Sequence, residues 1–130
     1  MHDSVKKYYL EKNYNCAETI LRMSNEEFHL DLDESVLKIM AGFGGGMYQE
    51  STCGVVTGGI AALSLIFLDK SDLETVVLNY QNQVKQIFTS TECISIKPLH
   101  REDLNRCSNV IDKAYQILRK TIIEAKEKTD

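Results

Sequence analysis

The sequence predicts an all-α fold, an irregular bundle of five or six helices around an apolar central helix. Three observations carry this. Apolar residues recur at helical spacing through most of the chain. Capping signals, a small polar residue with a glutamate three positions on, stand ahead of several apolar runs. Strand-like alternation is confined to Cys93-Ile-Ser-Ile, too short to build a sheet.

Taken in order, Val5 to Lys12 reads as a short amphipathic helix carrying Tyr8, Tyr9 and Leu10. Asn15 follows as an N-cap with Glu18 as its capping-box partner, and Ala17, Ile20, Leu21 and Phe28 supply an apolar face. Asp31 and Glu34 repeat the signal before Val36, Leu37, Ile39 and Met40. Gly42 to Gly46 ends that helix, because glycine enters left-handed backbone without a steric cost. Ser51 or Thr52 caps the next helix, from about Cys53 to Leu68, which is apolar on nearly every side and is therefore expected at the centre. Gly58 and Gly59 cost it roughly 1 kcal/mol each against alanine, which close approach of another backbone would offset. Ser71-Asp-Leu-Glu74 caps a further helix with the stripe Leu73, Val76, Val77, Tyr80, Val84, Ile87 and Phe88. Thr89 to Pro98 reads as a connection containing Cys93. The last helix is expected from about His100 to Lys126, with Cys107 on the inward stripe shared by Val110, Ile111, Ala114, Ile117, Leu118, Ile122 and Ala125.

Length and composition set the outer limits. The 130 residues make one domain, spanning 1–130, large enough for a core without staples. Hydrophobic residues are 43% and charged residues 26%, which is globular composition. A net charge of −4 without a basic face argues against nucleic acid. No secretory signal is visible, and the longest apolar stretch, Val55 to Leu68, falls short of the ~20 residues that span a bilayer. The expectation is a cytoplasmic protein without membrane insertion. In that reducing setting cysteines serve as free thiols, metal ligands or a transient redox pair.

The chemistry-bearing residues are those cysteines, Cys16, Cys53, Cys93 and Cys107. With Asn15 and Thr52 as caps, Cys16 and Cys53 each become the first residue of a helix. There the unpaired N–H groups and the helix dipole favour a thiolate. Two such helix ends aimed at one place would form an anion-favouring pocket, so these two sulfurs are expected to approach each other. Gly44, Gly45, Gly46, Gly54 and Gly58 leave room beside Cys53 for a cofactor or a second sulfur. Cys93, in its connection, is the easiest to move. No pair has zinc-knuckle spacing, so a four-sulfur site must be assembled by the fold. No Lys-Ser or Lys-Thr follows the glycine run as in a phosphate-binding loop, and no C-x-x-C-H is present for haem attachment. The histidines His2, His29 and His100 are isolated, and the methionines read as core filling.

These residues resemble the redox-active family named C_GCAxxG_C_C, with its four cysteines and C-G-A-x-x-G motif. Cys53-Gly54-Val55-Val56-Thr57-Gly58 matches the motif with Val55 in place of alanine, and Cys16, Cys93 and Cys107 stand where the other three cysteines fall. Gly44-Gly45-Gly46-Met47 also resembles the family, and the likeness covers nearly all of the chain. It implies a redox role or iron–sulfur binding. On that reading Cys16, Cys53, Cys93 and Cys107 are ligands of an iron–sulfur cluster, with zinc as the metal alternative. A metal-free alternative has Cys53 attacking and Cys93 resolving by thiol–disulfide exchange. A redox partner protein is expected and a homodimer stays open. A reading of another class is a helical interaction module with structural cysteines.

Overall fold

A computed structural model describes residues 2–129. They form seven helices and no strand, so the fold is all-α. Helix α1 begins at Asp3–Val5 and continues as a wider π-type coil over Lys6–Glu11. Helix α2 covers Cys16–Phe28, and α3 covers Glu34–Leu37 and tightens into a 3-10 turn over Lys38–Phe43. A π-type turn at Gly46–Glu50 leads to α4, Gly54–Ile66. Then come α5, Lys70–Phe88, α6, Cys93–His100, and α7, Ser108–Thr129.

The second helix starts where the sequence places it. The Asn15 side chain accepts from the Glu18 N–H, and the Glu18 carboxylate accepts from the Asn15 N–H. At its other end His29 adopts a left-handed conformation, φ 53°, and stops the coil. Other boundaries move. The cap of α5 is Asp69, whose carboxylate accepts from the N–H groups of Ser71 and Asp72, so Ser71 lies inside the helix. Asp33, not Asp31, is the N-cap of α3, and its side chain makes no capping bond.

The largest departure is between positions 89 and 107. The connection expected from Thr89 to Pro98 contains α6, and Pro98 lies within that helix. The helix expected from His100 starts at Ser108, and His100 closes α6. Proline cannot donate to the carbonyl four residues back, and that carbonyl belongs to Ile94, an exposed residue in the first turn of a short helix. The proline punctuation therefore points to a boundary that a short surface helix does not respect.

The core is shared among α2, α4, α5 and α7, with α2 and α4 packed most extensively. Helix α2 is buried without interruption from Ala17 to Ser24. Helix α4, expected at the centre on every side, exposes Ser64 and Leu65 near its C-terminal end. Two glycines make the close packing possible. A Cβ at Gly58 would lie 2.6 Å from the Ala17 carbonyl oxygen, and one at Gly59 would lie 2.3 Å from the Tyr80 ring. Tyr80 is fully buried and donates to the Val55 carbonyl at 2.7 Å, which ties α5 to α4. Among the described residues no helix is long and apolar enough to cross a membrane.

Candidate thiol site

All four cysteines stand at helix N-termini and line one cavity of about 260 Å³. Cys16 is the first residue of α2 and Cys93 the first of α6. Cys53 is the N-cap of α4; it is not the first helical residue, and Thr52 does not cap it. Cys107 directly precedes α7, and its carbonyl accepts from the Ile111 N–H at 3.0 Å. It therefore opens that helix and does not sit along its inward stripe. All four are free thiols.

The segments bearing Cys53 and Cys93 are held side by side. The Cys53 N–H donates to the Thr91 carbonyl at 2.8 Å, and the Cys93 N–H donates to the Ser51 carbonyl at 2.7 Å. Thr52 and Glu92 form a single antiparallel bridge between them. Cys93 is thus pinned and 5% exposed, whereas the sequence suggested the most movable of the four. Gly46 permits this approach, since a Cβ there would lie 2.8 Å from the Cys93 Cβ and 2.5 Å from the Ser51 nitrogen.

Cys16 and Cys53 are directly coupled. The Cys53 thiol donates to the Cys16 sulfur, and that bond is the largest cause holding the Cys16 pKa down, to about 7, against its burial. The backbone N–H groups of Gly45, Ala17 and Gly54 add to it. A thiolate surrounded by N–H donors at a helix start is the arrangement that stabilises the anion. Cys53 moves the opposite way, raised first by its bond to Cys16 and then by burial. The sequence reading places the attacking thiolate at Cys53; in the fold the pair is drawn apart, Cys16 downward and Cys53 upward, and the N–H groups lie around Cys16. Cys93 and Cys107 are raised, chiefly by burial, with Lys97 working against the rise in both.

The glycines expected to give a cofactor room fill a different role. Gly54 lies against Cys16, and a Cβ there would sit 2.2 Å from its sulfur. A Cβ at Gly44 would lie 2.6 Å from the Asn15 side chain, while Asn15 Nδ2 donates to the Met40 and Ala41 carbonyls at 3.3 and 3.0 Å. Gly45, at φ 59°, turns its N–H toward Cys16. Gly58 packs on Ala17. Together they bring backbone up to the thiolate.

Sequence reasoning missed the cationic and phenolic part of the site. Lys97, Arg101 and Arg106 line the cavity, and among the described residues no aspartate or glutamate does. The Arg106 guanidinium lies 4.4 Å from the centre of the Tyr9 ring, and it donates to the Tyr9 carbonyl at 2.9 Å and to Asn13 Oδ1 at 3.1 Å. The Tyr9 hydroxyl accepts from the Cys107 N–H at 3.2 Å and donates to the Cys107 sulfur. Burial holds the Tyr9 hydroxyl protonated by raising its pKa. The available signal was the run from Lys97 to Arg106, whose bases flank Cys107 in sequence; placing the last helix across it hid their convergence.

The chain matches the family described as "Putative redox-active protein (C_GCAxxG_C_C)" over residues 14–121. It belongs to that family. No curated protein and no solved structure matches it. The matched span contains all four cysteines and every base lining the cavity.

Proposed function

We propose that this member of the redox-active family works by thiol–disulfide exchange, with Cys16 as the attacking thiolate and Cys53 as its partner. One observation carries the reading: Cys16 at the start of α2 and Cys53 at the cap of α4 face one cavity, with backbone brought against the Cys16 sulfur at Gly54. The attacking thiol works best with a pKa near ambient pH, and about 7 meets that requirement. In the oxidising direction Cys16 attacks a disulfide sulfur and displaces one thiolate, leaving a mixed disulfide. Cys53 then loses its proton, attacks the Cys16 sulfur and displaces the second thiolate. The protein ends with a Cys16–Cys53 disulfide, and the substrate disulfide ends as two thiols.

The four cysteines expected as ligands surround one cavity, but they do not close on one point. Among the described residues no group of three or more His, Cys, Asp or Glu side chains is arranged to hold a metal ion. Held this way, the set does not fit a single tetrahedral zinc. Cys93 and Cys107 lie at the rim of the dithiol, with the Tyr9 hydroxyl bonded to Cys107.

The test is a thiol–disulfide titration of protein purified without oxygen, followed by mass mapping of the bonded pair, with iron and sulfide assayed in parallel. A Cys16–Cys53 disulfide in metal-free wild type, absent from C16S and C53S, is the expected result. Stoichiometric iron and sulfide lost in each single Cys→Ser variant would replace the dithiol reading with the four-thiolate cluster.

A further inference from the structure

We infer that the disulfide taken by this dithiol is a small molecule carrying carboxylates, which Lys97 and Arg101 hold at the mouth of the cavity. The inference rests on the thiol–disulfide reading and adds the substrate class. Its first support is charge. The chain has 19 acidic and 15 basic side chains, yet the cavity is lined by Lys97, Arg101 and Arg106 and by no carboxylate. An anion entering this cavity meets three cations and, among the described residues, no carboxylate in its lining.

The second support is availability. Arg106 is engaged by Tyr9 and Asn13, so its place in the wall is fixed. Lys97 pairs with Glu50 at 3.7 Å across half-exposed surface, a weak contact that an incoming carboxylate can replace. Arg101 is exposed and makes no ion pair among the described residues. Two cations thus stand ready at the rim, one of them unshared.

The third support is size and reach. A cavity of about 260 Å³ is small beside the ~300–1,000 Å³ of common ligand pockets, and it suits a metabolite-sized disulfide. Cys53 is 6% exposed and Cys16 is partly buried, so a disulfide approaches the pair through the cavity. The exchange balances as set out above: the substrate S–S bond breaks, one protein S–S bond forms, and two thiols leave carrying the electrons and protons of Cys16 and Cys53. The carboxylates stay on the cations throughout.

The test is a series of disulfides of similar size and different charge, offered to the reduced full-length protein: 3,3′-dithiodipropionate, bis(2-hydroxyethyl) disulfide and cystamine. Thiol release is followed with time, and the Cys16–Cys53 disulfide is mapped at the end. The anionic probe should react about tenfold or more faster than the neutral one at low salt, and the cationic probe slowest, because a cleft of one sign raises the encounter rate of the opposite sign. The spread should narrow as salt is added. Arg101→Gln and Lys97→Gln should slow the anionic probe severalfold and narrow its lead over the neutral one. Equal rates for anionic and neutral probes, or variants that slow all three alike, would overturn the substrate class and leave the dithiol standing. If no probe releases thiol or forms the Cys16–Cys53 bond, the dithiol reading itself fails.

Discussion

The donors around Cys16 that favour a thiolate can be removed one at a time. The Cys53 thiol is the strongest of them, so Cys53→Ala should raise the Cys16 pKa, while Cys53→Ser, which keeps a donor, should raise it less. Alkylation rate against pH measures this directly. Wild-type Cys16 should show a midpoint near pH 7, and the alanine variant should shift it upward. The linkage to stability follows in sign. Because the folded-state pKa of Cys16 lies below its ordinary value of 9.0, its contribution is fully present above pH 9 and is lost as pH falls through about 7. Cys53 is raised, so its contribution is present below its ordinary 9.0 and declines at still higher pH. Urea titrations of wild type and Cys16→Ser between pH 6 and pH 9 should therefore diverge as pH rises. Gly54 is the second residue on which the thiolate depends. Alanine there would press on the Cys16 sulfur, and overpacking of that kind costs typically 1–3 kcal/mol. Gly54→Ala should lower stability by about that much and slow alkylation of Cys16, a combination that a plain helix-propensity gain would not give.

At the scale of elements, the site is built from helix starts and the turns that deliver them. Asn15 serves both purposes: it caps α2 and binds the carbonyls of Met40 and Ala41, just ahead of the glycine run. Asn15→Ala should cost about 1–2 kcal/mol in denaturant unfolding, the upper part of the usual range for a lost N-cap, because the two carbonyls lose their donor as well. The turn beyond is strained. Gly45, Gly46, Met47 and Tyr48 have φ of 59°, 64°, 59° and 62°, a left-handed run that costs a side-chain-bearing residue roughly 1–2 kcal/mol per position. Met47→Gly should therefore stabilise the protein by about 0.5–1 kcal/mol after glycine's extra chain entropy is counted, measured as a rise in unfolding midpoint. These elements differ in how well the sequence reveals them. The α2 cap was legible because a capping box is local chemistry, complete within Asn15 to Glu18. The start of α6 was not, because the Cys93 N–H is held by the Ser51 carbonyl and the Thr91 carbonyl holds the Cys53 N–H, a pairing of distant segments that no local pattern encodes. The cysteines were conspicuous as a residue type. Beside the Cys53 thiol, the donors around Cys16 are backbone N–H groups of Gly45, Ala17 and Gly54, and these have no side-chain signature.

Across the whole molecule, the dithiol joins the two helices that share most of the core. Cys16 begins α2 and Cys53 caps α4, and Ala17 and Gly58 hold those helices at backbone contact. A bond between the two sulfurs therefore links the spine of the fold and closes the chain from position 16 to position 53. In the chain-entropy account a loop of that size restricts the unfolded state by roughly 3–4 kcal/mol, an upper bound when the folded state is unstrained. For a domain of this length each kcal/mol moves the melting temperature by about 2–8 °C. The oxidised wild type should thus melt about 6 °C or more above the reduced form. C53S should show no such difference, and neither should C16S. Bonding of Cys93 to Cys107 would close a much shorter loop at the rim, and its smaller gain would survive in both variants. Scanning calorimetry on the reduced and oxidised forms of the three proteins separates these outcomes. A gain that disappears with either Cys16 or Cys53 identifies the pair that changes redox state. A reduced form equal to the oxidised one in the wild type would mean that the sulfurs meet without bonding, and that the N–H groups around Cys16 stabilise an anion for some other chemistry.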